Sequence, residues 1–250
     1  MGAAGMKHTI KAIVAYDGTN YQGFQRQKNG VGVQQVLEKA LTEVLKEPIL
    51  IKAAGRTDAG VHALGQVISF TTSSRIPPEN YRRALEPHLP PDIAVREAFY
   101  APDDFHARFD AVDKTYQYKL LYSPLPDPTQ RNTTWEFREK LDVDKMNEAA
   151  ALLLGKHDFT SFKNQGSQDT SPVRTLTEAH WVQDGDLYTF TITGDGFLYR
   201  MVRNIVGCLV RVGTGVWSKE DFARVLAAKN RKQAGMAAPP QGLYLMHVSY

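Results

Sequence analysis

The chain has 250 residues, 42% of them hydrophobic, and a formal net charge of only +3. That is enough apolar content for one large domain or two small ones, and so mild a charge permits a nucleic-acid partner without demanding one. One cysteine, Cys208, excludes an internal disulfide and a cysteine-based zinc site, and no run approaches the roughly 18 apolar residues of a membrane span.

Residues 1–5 are small and lack the apolar stretch of a signal peptide, so a soluble cytoplasmic protein is expected. Residues 8–16 read as a strand, ended by Asp17 and Gly18. The polar and aromatic loop YQGFQRQKNG follows. Val33, Val36, Leu37, Ala40, Leu41, Val44 and Leu45 keep helical spacing, which predicts an amphipathic helix stopped by Pro48. Short strands are expected over 49–54 and 63–72. Pro77 and Pro78 open a helix over 81–88, and 92–100 reads as a strand. The first half is therefore β-α-β-β-α-β.

Residues 114–122 alternate as a strand, with Tyr116, Tyr118, Leu120 and Tyr122 on one face. Asp142 or Asp144 caps a helix ending at Gly155. Residues 173–183 and 186–193 form a hairpin around Asp184 and Gly185. A helix is expected over 200–211, another after a capping box at Ser218, and a last strand over 242–250. The plan repeats. It predicts an α+β fold of two ferredoxin-like halves, with mainly antiparallel sheets, sharing a cleft. The break at Pro102-Asp103-Asp104 sets the halves at 1–104, with the Asp loop, and 105–250, with the Tyr strand and the Arg helix.

Three stretches carry candidate chemistry. In AAGRTDAGVHALGQV, Asp58 sits between Gly55 and Gly60, with Arg56 two residues before it. A cation beside a carboxylate keeps it ionised, and glycines allow close approach of a ligand, so Asp58 is a candidate nucleophile or base. Thr-Asp-Ala-Gly is also an ordinary turn, and the residue types leave both readings open. In GFLYRMVRNIVG, Arg200, Arg203, Gly207 and Arg211 form a stripe opposite an apolar helix face: either a basic surface or a solvated one. Gly207 weakens a helix, which implies that something comes close there. The tyrosines of 114–122 are core aromatics or a stacking platform for a base. The histidines lack metal-ligand spacing, so no metal is expected, and the Gly55–Gly60 stretch lacks a P-loop lysine. Lys229, Arg231, Lys232, Arg82 and Arg83 are candidate phosphate contacts.

These blocks resemble one family. GRTDAGVHALGQV is similar to the active-site motif of the tRNA pseudouridine synthase A (TruA) family. YDGTNYQGFQRQ with VQQVLEKAL, LPPDIAV, DDFHARFDA with KTYQY, HDFTSF, FLYRMVRNIVG and GLYL resemble its further blocks, in order and over essentially the whole chain. The resemblance implies that Asp58 is the catalytic aspartate and that Arg56 helps displace the target base. It implies that Tyr116 stacks on the uracil, that Arg203 pairs with the aspartate, and that Leu243 or Leu245 lines the pocket. It further implies that the two halves flank a basic active-site cleft, and a homodimer without metal or organic cofactor, acting on uridine at positions 38–40 in the anticodon stem-loop of tRNA. A non-catalytic RNA-binding protein of the same fold is the alternative.

Overall fold

The computed structural model describes residues 6–166 and 171–250; residues 1–5 lie outside it. In chain order the elements are β1 (His8–Tyr16), α1 (Val33–Leu45), β2 (Lys52–Ala53), β3 (His62–Thr72), α2 (Tyr81–Leu85) and β4 (Ile93–Ala101). Then come β5 (Asp113–Tyr122), β6 (Trp135–Phe137), α3 (Val143–Ala150), β7 (Gly155–Asp158), β8 (Val173–Asp184) and β9 (Leu187–Gly194). α4 (Met201–Gly213), α5 (Lys219–Ala228) and β10 (Leu243–Ser249) complete the order. The fold is α+β. β1 pairs antiparallel with β3 and β4, β2 with β3, β9 with β5 and β8, and β7 with β8, while β5 and β6 run parallel.

The chain gathers into two units. One runs to Val112 and takes in Leu245–Tyr250; the other is Asp113–Tyr244. Hydrogen bonds explain why the first unit continues past residue 104. Ala107 N donates to Ser69 Oγ at 3.2 Å, Tyr250 Oη to the Ala107 carbonyl at 2.7 Å, and Val112 N to the Ser249 carbonyl at 2.8 Å.

In the first unit the strand order is β4-β1-β3, with β10 and β2 both along the other side of β3. Ile10 faces Phe70 and Ala12 faces Ile68, so alternate residues of both strands enter the core. α1 buries Val33, Leu37, Ala40, Leu41 and Leu45, as its periodicity predicts. It also buries Glu38, whose carboxylate pairs with Arg26 and accepts from Gln34 Nε2 at 3.0 Å and from Ile51 N at 3.1 Å. Pairing of this kind is what keeps a buried charge tolerable. The strand expected over 49–54 contracts to β2: Lys52 and Ala53 pair with Ser69 and Ile68, while Ile49 N and Ile51 N turn to the side chains of Thr42 and Glu38 on α1. The helix expected over 81–88 becomes 3₁₀ at Glu86–His88, where Pro87 has no amide hydrogen to continue an α-helix.

In the second unit the order is β5-β9-β8-β7, with β6 beside β5. Tyr116 faces Ile192 and Tyr118 faces Phe190. Asp142, not Asp144, caps α3, accepting from Lys145 N at 3.1 Å. That helix ends at Ala150, and Gly155 instead opens β7. Ser218 and Asp221 form the expected capping box of α5.

α4 departs most from expectation. Its apolar face is buried, but so are Arg203, Asn204 and Gly207, and of its residues only Arg211 is exposed. The segment 230–238 lies along the stripe that includes Arg203 and Gly207. Ala238 N donates to the Arg203 carbonyl at 2.9 Å, and a Cβ on Gly207 would collide with the Met236 carbonyl oxygen. What comes close at Gly207 is therefore the chain's own backbone. Gly207→Ala would gain about 1 kcal/mol of helix propensity, but overpacking against backbone costs about 1–3 kcal/mol. The expected outcome is a net loss of stability in urea unfolding; an unchanged or raised midpoint would refute this packing.

Candidate active site

Asp58 lies on the loop between β2 and β3, half-buried, and follows the exposed Arg56 and the buried Thr57. Three side-chain and backbone contacts lock this loop. Tyr16 Oη and Thr57 Oγ1 are 2.7 Å apart in a buried hydrogen bond. Gln66 Nε2 donates to the Gly55 carbonyl at 2.8 Å. Phe24 N donates to the Thr57 carbonyl at 3.0 Å. Val61 N closes the turn on the Asp58 carbonyl at 3.1 Å, with Gly60 at φ +80°. Burial pushes the Tyr16 phenol up to about 12, against the lowering effect of its bonds with Thr57 and Gln66. It therefore stays protonated across the physiological range and can keep its place in the lock.

The 17–24 loop acts as a buckle over the Asp58 loop, a role that the residue pattern alone did not expose. Gly18 N lies 3.0 Å from His62 Nδ1. Asp17 Oδ1 is 3.2 Å from the same Nδ1 and also accepts from Thr19 N at 3.0 Å. Gly18 and Gly23 make the approach possible. A Cβ on Gly18 would strike the Val61 carbonyl, and one on Gly23, at φ +86°, would sit 2.6 Å from the Thr57 carbonyl. Two glycines in a polar-aromatic loop after a strand are the available sequence signal.

Arg56 is exposed, and no ion pair involves it among the described residues. Leu245, fully buried, belongs to the same unit as Asp58 and Arg56. Tyr116, Arg203 and Leu243 belong to the other. Tyr116, on β5, is buried, with its ring edge-on to Phe197 at 5.1 Å between centroids. Arg203 is 8% exposed and donates through Nε to the Ala238 carbonyl at 2.8 Å. Next to Tyr116 on the same face, Tyr118 donates to the Pro239 carbonyl at 2.7 Å; burial raises its phenol far above the ordinary value, with Arg203 pulling it partly back.

Of the candidate phosphate contacts, Lys229, Lys232, Arg82 and Arg83 are exposed. Arg231 is committed to protein acceptors, Asn164 Oδ1, Asn204 Oδ1 and the Ala234 and Gly235 carbonyls, which leaves its fork without the donor pair that grips a phosphate. No group of three or more metal-ligating side chains occurs among the described residues.

The first unit offers a carboxylate on a loop held by hydrogen bonds; the second, by itself, offers a buried aromatic and an oriented arginine. Comparison with known proteins identifies the family. The family described as tRNA pseudouridine synthase matches residues 12–110 and 149–250. A tRNA pseudouridine synthase A of Methylacidiphilum infernorum is 46% identical over 96% of this chain and 94% of its own. One of Clostridium tetani, tRNA pseudouridine synthase A 2, is 43% identical over 98% of this chain and 100% of its own. One of a Geobacter species is 46% identical over 96% of this chain and 98% of its own. The chain belongs to the tRNA pseudouridine synthase family.

The loop lock generates a prediction. Tyr16→Phe leaves the buried Thr57 hydroxyl without its partner, at a cost of about 1–3 kcal/mol. Thermal unfolding should detect that loss, and pseudouridine formation should slow with it. A variant with wild-type stability and rate would show that the Tyr16 bond does not hold the loop.

Proposed function

We propose that this chain isomerises uridine to pseudouridine at positions 38–40 in the anticodon stem-loop of tRNA, with Asp58 as the nucleophile. Family membership over most of the chain supports the reaction. The observation that carries the choice of residue is the half-buried Asp58 on a loop locked by Tyr16, Gln66 and Phe24.

The reaction detaches uracil from the ribose at N1, rotates it and rejoins it through C5. No atom is gained or lost, so the chemistry asks for positioning and charge rather than an added group. The target base must first leave its stack, at a cost of a few kcal/mol. In this reading Tyr116 stacks on the flipped uracil, and Leu243 and Leu245 keep water from it. Arg56 occupies the space the base vacates, and Arg203 favours the ionised carboxylate that burial would otherwise disfavour. Whether Asp58 adds to the base or assists its departure from the sugar, it works as the ionised form. Contacts between exposed lysines and arginines and the phosphates offset the cost of flipping. The resemblance implies a homodimer, and the composition, with one cysteine and no signal-peptide stretch, a cytoplasmic location. No helix among the described residues is long and apolar enough to cross a membrane.

Asp58→Asn keeps the size of the side chain and removes its charge. It should still bind unmodified tRNA but form no pseudouridine in a single-turnover assay. Equal product from the variant would end the nucleophile reading, and tight binding with no product from either protein would favour the non-catalytic alternative. Affinity for tRNA should also fall steeply as salt rises from about 50 to 200 mM, because bound phosphates release counterions. A flat response would remove phosphate contact as the main source of binding.

A further inference from the structure

Arg231 sits at the centre of a polar network that touches no candidate substrate group directly. Its Nε donates to Asn164 Oδ1 at 3.0 Å and its Nη2 to Asn204 Oδ1 at 2.9 Å. Its Nη1 donates to the carbonyls of Ala234 at 3.2 Å and Gly235 at 3.1 Å. Asn204, fully buried on α4, donates in turn to Asn164 Oδ1 at 2.8 Å and to the Phe162 carbonyl at 2.7 Å. The guanidinium therefore fastens three pieces of chain to one another: α4, the stretch around Asn164, and the strap 230–238. Asn230 N, bonded to the buried Ser161 Oγ at 2.9 Å, anchors the start of the strap.

From that anchor the strap runs along α4, against Gly207 at Met236, and reaches Arg203 at Ala238. There two bonds join strap and helix, Ala238 N to the Arg203 carbonyl at 2.9 Å and Arg203 Nε to the Ala238 carbonyl at 2.8 Å. The second of these sets the direction of the Arg203 side chain. An arginine held at Nε by a fixed carbonyl presents its two terminal nitrogens in one orientation. Moving the carbonyl moves the fork.

We propose that Arg231 is a positioning residue for the isomerisation: by holding the strap on α4 it fixes the Ala238 carbonyl and, through it, the Arg203 guanidinium. The proposal rests on the reading of Arg203 as a substrate-binding group. Arg231 itself stays away from the reacting atoms, and its effect is on the rate of the chemical step rather than on tRNA affinity.

A kinetic double-mutant cycle tests this, with Arg231→Met and Arg203→Lys measured singly and together. The readouts are single-turnover pseudouridine formation on unmodified tRNA, tRNA affinity and thermal unfolding. Arg231→Met should slow the reaction roughly 10- to 100-fold, the range that a small misplacement produces, with affinity nearly unchanged. In the Arg203→Lys background the same change should add little, because the group it positions is already gone. Equal losses in both backgrounds, or no loss in the wild-type background, overturn the proposal while leaving Arg203 its role. An Arg203→Lys protein with wild-type rate overturns the reading of Arg203 and the proposal with it. If Arg231→Met fails to fold, Asn164→Ala, which removes the acceptor shared by Arg231 and Asn204, carries the same cycle with the same outcomes.

Discussion

A buried hydroxyl pair, Tyr16 and Thr57, governs how the first unit presents its carboxylate. Asp58 follows directly after Thr57, so its backbone can move only as far as that bond and the neighbouring Phe24 amide allow. In the proposed reaction such restraint would set the geometry of the carboxylate before substrate arrives. The protein achieves it with ordinary materials. A strand end supplies the tyrosine, the following loop supplies two glycines and an amide, and the next strand supplies the glutamine. Each is a modest interaction, and they converge on one short loop.

The second unit solves a parallel problem by different means. Arg203 is long and carries many rotamers, so its direction has to be imposed. It projects from a helix that is covered on nearly every side, and a backbone carbonyl engages the one nitrogen nearest its stem. The same segment that supplies the carbonyl also covers the helix. Burial of the helix and orientation of the Arg203 side chain are here one feature.

Local signals were legible in the sequence and long-range ones were not. The helical spacing of Val33 to Leu45 predicted α1, and the Ser218 box predicted the start of α5. Glu38 went unread as a buried residue because its partners, Arg26 and Ile51, lie in other segments and leave no periodic trace. β6 and β7 are three and four residues long, too short for alternation to declare itself. The stripe on α4 was visible, but spacing cannot distinguish a face offered to RNA from one covered by the chain's own backbone. Gly207 held the clue, since a glycine in a helix interior marks close approach without saying by what. For Asp58, the residue types reached a reactive carboxylate or a turn. The lock that surrounds it depends on a pair 41 residues apart.

The course of β10 bears on how the protein is made. Residues 245–250 complete a unit whose other residues all precede position 113, and Ser249 and Tyr250 hold the 107–112 segment through hydrogen bonds. During synthesis the first unit therefore emerges with one side of β3 lacking its long neighbour, and it must wait while the whole of the second unit is translated. Contacts so distant along the chain form slowly, and an open strand edge attracts other chains in the meantime. The first unit is completed only by residues that follow the whole of the second unit along the chain.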